Sequence, residues 1–105
     1  MIIRIVKMTF KKELVKDFLR NFDENKQKIR QFKGCQYLEL WQEDGKENVF
    51  CTHSHWETAK DLENYRHSAF FESVWNYTKT LFEEKAIAFS VQSKEVVKPE
   101  FLNYN

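Results

Sequence analysis

Residues 35–57 read CQYLELWQEDGKENVFCTHSHWE, two runs of apolar, aromatic and β-branched residues on either side of Asp44-Gly45. Asp-Gly between such runs is a strong local hairpin signal, so residues 35–42 and 48–57 are expected to pair as antiparallel strands. A turn centred there puts Cys51 across from residue 38 or 39, roughly 13 Å along the strand from Cys35 at about 3.3 Å per residue. A disulfide needs Cα atoms within about 7 Å. Two free thiols are expected, as in a reducing compartment. A shift of one residue in the hairpin register would reverse which side chains share a face, so the sequence leaves open whether His53 lies beside Tyr37.

Working outward from the hairpin, the upstream stretch 2–10 (IIRIVKMTF) has the β-branched character of a first strand. Residues 11–33 carry Leu14, Phe18, Phe22, Ile29 and Phe32 on one helical face, interrupted by a polar gap at Asn25 and Lys26. Gly34 follows as a helix C′ residue. Downstream, Thr58 is an N-cap candidate for a helix bearing Leu62 and Tyr65. Ser68 is another, for a helix through about Phe82 with two stripes, Phe70-Val74-Tyr77-Leu81 and Phe71-Trp75-Thr78-Phe82. Residues 86–96 are expected as a fourth strand with Ile87, Phe89 and Val91 on one side. Residues 97–105 form a tail without a pattern, so the domain is 1–96.

The order strand, helix, strand, strand, helix, strand is the ferredoxin-like α+β arrangement with a four-stranded antiparallel sheet. Two helical units cover one face of such a sheet, yet both faces of the first two strands are apolar. Ile3 and Ile5 oppose Val6, Met8 and Phe10, and Tyr37 and Trp41 oppose Leu38 and Leu40. A second copy of the same sheet is the simplest cover, giving a homodimer built as a dimeric α/β barrel.

The chain has 105 residues, 42% hydrophobic and 31% charged, which suits one globular domain and excludes a disordered chain. Seventeen Lys and Arg balance sixteen Asp and Glu, interspersed, so no basic field exists to collect phosphates. Nucleic acid is not an expected partner. Arg4 cuts the only apolar run at the start, so neither a signal-peptide core nor a membrane span is expected and a cytoplasmic location follows.

Trp56-Glu57-Thr58, then Leu62, Tyr65, Ser68 and Phe71, resembles the strand-to-helix junction W-E-[ST]-x-x-x-[LF]-x-x-[HYW]-x-x-S-x-x-F of antibiotic biosynthesis monooxygenase (ABM) domains. Element order and length extend the resemblance over about residues 2–96. It implies a dimeric barrel and, as in several members, oxygenation of electron-rich aromatic substrates without flavin, metal or haem. The implied site lies between sheet and second helical unit, where an acidic phenol or hydroquinone loses a proton and its anion passes an electron to dioxygen. The protein would position, desolvate and stabilise that anion.

By the same resemblance, Trp56 matches a tryptophan lining the site of aromatic-polyketide members, and a core-anchor role is its alternative. Thr52 stands where they carry an asparagine, and Leu62 where they carry a tyrosine, which implies a different substrate. The haem-degrading branch needs an asparagine on the first strand, a tryptophan in the second helix and a histidine ten residues later. Here no Asn precedes Phe10, and those helical positions are Tyr65 and Trp75, so haem degradation is rejected. Phe70 occupies a position where many members have a histidine.

His53 and His55 are two apart on a strand and share a face with Cys51. An H-x-H pair can seat a metal if Glu39 or Cys51 joins it, can accept a proton, or can simply pack half-buried. His67 lies in the link between helices, exposed or near a pocket mouth. The expectation is a cofactor-independent monooxygenase for a small aromatic, quinol or polyketide-like compound, with no cofactor and no metal. Trp56, Thr52, His53 and His55 are its catalytic candidates; Phe50, Leu62, Tyr65, Phe71 and Trp75 bind substrate. A non-catalytic ligand-binding module on the same fold, and an isomerase or dehydratase, are the rivals.

Overall fold

The computed structural model describes residues 1–100; residues 101–105 of the expected tail lie outside it. Strand β1 (Ile2–Thr9) passes through a 3-10 turn (Lys12–Leu14) into α1 (Val15–Arg30), followed by the hairpin β2 (Cys35–Gln42) and β3 (Val49–Trp56). Then come α2 (Ala59–Arg66), α3 (Ala69–Lys79) and β4 (Ile87–Val91). All pairings are antiparallel, in the order β2-β3-β1-β4, which is the expected ferredoxin-like α+β fold.

Both predicted caps form. The Thr58 hydroxyl accepts from the Asp61 amide at 3.0 Å and that of Ser68 from the Phe71 amide at 3.1 Å, satisfying donors the helix cannot. Three boundaries differ from expectation. Strand β4 stops at Val91, because Val91 pairs with Ile3 and β1 offers only Ile2 beyond it. Helix α3 stops at Lys79, since Phe82 bridges to Phe10 and the Glu83 amide donates to the Thr9 carbonyl at 2.8 Å. Helix α1 ends at Arg30, short of Gly34. Gly34 instead turns the chain at φ +89°, where a Cβ would fall on the side chain of Asp61 in α2.

The hairpin register also differs. Cys51 pairs with Trp41, His53 with Glu39 and His55 with Tyr37, not Cys51 with residue 38 or 39. The connection is wider than a two-residue turn. It closes with the Glu43 amide on the Val49 carbonyl at 2.9 Å, and Asn48 is tied by its amide to the Phe10 carbonyl at 2.8 Å. Cys35 and Cys51 are both free thiols.

This register sorts the sheet into two faces, because side chains alternate along each strand and partners lie side by side. One face carries Arg4, Val6 and Met8 of β1 with Leu38, Leu40, Thr52, Ser54 and Trp56, and receives the helices. Its core has two clusters. Met8, Phe10, Phe18, Phe50 and Leu81 form one; Ile29, Cys35, Trp56, Leu62 and Tyr65 form the other. The opposite face carries Ile3, Ile5, Tyr37, Trp41, Cys51, His53 and His55, extended by Ile87, Phe89 and Val91 of the edge strand. Tyr37, Trp41, Ile87, Phe89 and Val91 are each at least 40% exposed there. Among the described residues no helix is long and apolar enough to cross a membrane.

Candidate active site

Where the two core clusters fail to meet, a partly enclosed cavity of about 220 Å³ remains between sheet and helices. Met8 and Phe18 of one cluster border it, as do Ile29, Trp56, Leu62 and Tyr65 of the other. An apolar cavity of roughly 150 Å³ accommodates benzene, so this one suits one or two fused aromatic rings.

Aromatic rings form the far wall. Trp56 ends β3 and is 1% exposed, with its ring stacked on Tyr65 of α2 at 4.8 Å between centroids. Tyr65 meets Phe71 edge-on at 5.0 Å, and Phe71 stacks on Trp75 one helical turn later at 5.8 Å. The four rings are thus one continuous surface for a planar ligand. Burial, with the neighbouring Cys35 thiol, pushes the Tyr65 hydroxyl far above the usual phenol range, so this group stays protonated.

Polar groups are few and grouped. Thr52 and Ser54 border the cavity from β3. The Trp56 indole N–H donates to the Ser54 hydroxyl at 3.0 Å, so its donor is already engaged. Across the cavity, Asn25 donates to the Asn21 carbonyl at 2.8 Å and Asn21 to the Thr78 hydroxyl at 3.3 Å. The polar gap in the α1 stripe is therefore cavity wall. Arg4 of β1 and Arg66 at the end of α2 complete the lining, which among the described residues contains no Asp, Glu or His.

Of the residues singled out in the sequence, Trp56, Thr52, Leu62, Tyr65, Phe71 and Trp75 come together around this cavity. Phe50 does not. It packs in the first core cluster against Phe10 and Phe18, at 6.1 and 5.4 Å between ring centroids, too deep to reach ligand. His53 and His55 also do not, because odd-numbered residues of β3 point through the sheet to the opposite face. Neither reaches a ligand in this cavity from that side of the sheet. His67 is exposed at the end of α2 and lies off the cavity lining.

On the opposite face the two imidazoles meet, Nε2 to Nε2, at 2.9 Å. His53 Nδ1 lies 3.6 Å from a Glu39 carboxylate oxygen, an ion-pair separation too long for a hydrogen bond. Trp41 donates to that same oxygen at 2.8 Å and, first among several partners, holds Glu39 below the usual carboxylate range. Burial, followed by repulsion from His53, lowers the pKa of His55. Among the described residues no three His, Cys, Asp or Glu side chains gather closely enough to hold a metal.

Arg4, Arg66, Asn21 and Asn25 were not anticipated as site residues. Arg4 shares strand parity with Val6 and Met8, so it puts a charge within an apolar set. Both sets of β1 are apolar, however, and the sequence left open which one faces the helices.

The family model for antibiotic biosynthesis monooxygenase matches residues 1–74. Among solved structures, the chain is similar to a conserved protein from Methanosarcina mazei Go1, with a TM-score of 0.82 at 18% identity over 89% of this chain and 93% of that one. An antibiotic biosynthesis monooxygenase aligns with a TM-score of 0.84 at 16% identity, covering 90% of this chain and 100% of that one. A variant of SnoaB, a cofactor-independent oxygenase from Streptomyces nogalater, aligns with a TM-score of 0.81 at 11% identity, covering 93% and 97%. At such identities the structural likeness establishes shared fold. No curated protein matches the sequence.

Proposed function

The chain belongs to the antibiotic biosynthesis monooxygenase family, and on that premise we propose that it is a cofactor-independent monooxygenase for a small aromatic or quinol substrate of one or two rings. The observation that carries this reading is the aromatic cavity itself, walled by four rings and bordered by two arginines but, among the described residues, by no side-chain carboxylate. A substrate anion is stabilised there and its hydration is stripped, which raises its power to reduce dioxygen.

The balance needs no outside reductant. A hydroquinone of the naphthalene series gains one oxygen atom on its ring and becomes a hydroxyquinone. The second oxygen leaves as water with two substrate hydrogens, and all four electrons come from the substrate. Because no imidazole or side-chain carboxylate borders the cavity among the described residues, the first proton departs to water, and the Arg4 and Arg66 charges favour the phenolate that remains. Thr52 offers a hydroxyl to the substrate oxygen, Trp56, Tyr65, Phe71 and Trp75 the stacking surface, and Leu62 an apolar wall. The working unit is a homodimer joined through the exposed sheet face.

Oxygen uptake with a panel of hydroquinones and anthrones tests the proposal. Turnover of one- and two-ring compounds, with stoichiometric oxygenated product, is expected. No uptake with any member of the panel overturns it.

A non-catalytic ligand-binding module on the same fold is the second reading, favoured by the absence of a general base and by the engaged Trp56 N–H. It is distinguished by a bound aromatic compound that persists unchanged under oxygen.

A further inference from the structure

We propose that the ligand of this cavity is an aromatic carboxylate whose acidic group is received by Arg4 and Arg66. The inference rests on reading the cavity as the substrate site, and it concerns what is bound rather than what is done to it.

Two guanidinium groups border a cavity whose other walls are rings, aliphatic chains and the neutral polar groups of Thr52, Ser54, Thr78, Asn21 and Asn25. Among the described residues no acidic side chain borders it. Neither arginine forms an ion pair among the described residues. Arg66 alone would be unremarked, because a cation in the last turn of α2 is favoured by the helix dipole. Arg4 has no such account. It projects from the helix-facing side of β1, is half-buried, and its Nη1 donates only to the neutral Ser90 hydroxyl, at 3.1 Å.

A half-buried cation beside a second cation is an unfavourable arrangement unless something negative visits. Burial, and then the Arg66 charge, lower the Arg4 pKa, and the negative charge of a bound anion opposes both. A carboxylate matches the planar donor fork of a guanidinium, which a lysine does not offer. Arg66 is exposed and so marks the cavity rim, whereas Trp56 and Tyr65 are buried at its back. An acid attached to a flat ring therefore enters ring first, stacks on the aromatic wall, and leaves its carboxylate at the two arginines.

The test is anaerobic titration of the full chain at pH 7 with 1-naphthoate and with 1-naphthalenemethanol, its uncharged analogue, followed by calorimetry. Naphthoate is expected to bind about tenfold more tightly than the alcohol. Arg4→Gln and Arg66→Gln should each erase about threefold or more of that preference while leaving the alcohol's affinity within about twofold. Arg4→Lys keeps the charge but loses the fork, and should fall between wild type and Arg4→Gln. Equal affinity for the two compounds overturns the proposal, as does a preference that survives Arg4→Gln together with Arg66→Gln. Failure of naphthoate to bind at about 1 mM overturns it as well. Since dioxygen is absent, a chain that prefers naphthoate yet never consumes oxygen sinks the monooxygenase reading alone.

Discussion

The indole N–H of Trp56 donates to the hydroxyl of Ser54, two residues back on the same face of β3, at 3.0 Å. The side chain that most resembles a catalytic donor is thereby also a core anchor. Trp56→Phe should remove buried volume and strand the Ser54 hydroxyl, costing about 2 kcal/mol and about 10 °C of Tm. Ser54→Ala should cost only about 1 kcal/mol and leave the indole free to donate to a ligand. If the N–H serves the substrate, Ser54→Ala keeps or raises oxygen uptake whereas Trp56→Phe loses it. Equal loss in both variants would assign Trp56 a packing role only.

The exposed sheet face makes a second prediction. Tyr37, Trp41, Phe89 and Val91 are large apolar side chains exposed together on one side of the sheet, the kind of surface a second copy would cover. Size-exclusion with light scattering should give twice 12.8 kDa, and Trp41→Glu should shift the population to single chains by placing a charge in the contact. A wild-type chain that is monomeric at micromolar concentration contradicts the dimer.

Acid should destabilise this same face. Burial lowers the folded-state pKa of His55 below the ordinary histidine value near 6.5. The unfolded chain then binds more protons than the folded one just below that value. The stabilising contribution is thus full above pH 6.5 and is lost as the pH falls toward the lowered value. Thermal melts between pH 7.5 and 5 should show Tm falling, and His55→Gln should flatten the fall. Groups facing the imidazole, including His53, Tyr37 and Ile3, remain in that variant. An unchanged pH profile would show that protonation of His55 is not coupled to folding.

The two glycines should respond unequally to alanine. Both have positive φ, +89° at Gly34 and +79° at Gly45, so each substitution incurs backbone strain of about 1 kcal/mol. At Gly45 the space is open and nothing further is lost. At Gly34 the new methyl meets Asp61, and the Gly34 carbonyl accepts the Glu57 amide at 2.8 Å, so the junction of α1, β3 and α2 must shift. Urea melts should place Gly34→Ala well below Gly45→Ala; equal midpoints would argue that α2 moves away freely.

Much of the site was visible along the chain. Trp56 through Trp75 carry their own spacing, and hydroxyl caps at Thr58 and Ser68 fix where α2 and α3 begin, which is why the four rings end on one surface. Arg4, by contrast, interrupts an apolar run, and its parity with Val6 and Met8 became informative only once the helices packed on that side of β1. Phe50 shares that parity too, yet α1 brings Phe18 over it and seals it into the core.

Local chemistry alone therefore determined the element order, the helix starts and the sorting of each strand into two alternating sets, because these depend on neighbours a few residues apart. Which set faces the helices was decided only by the tertiary structure. Alternation cannot distinguish the Thr52-Ser54-Trp56 side of β3 from the Cys51-His53-His55 side until α1, α2 and α3 fold back onto one of them. That choice puts the histidines on the far side of the sheet and brings Arg4 and Arg66, 62 positions apart in the chain, to a single cavity. The cavity itself exists because two core clusters, each well packed, leave a gap between them that neither set of side chains is long enough to close.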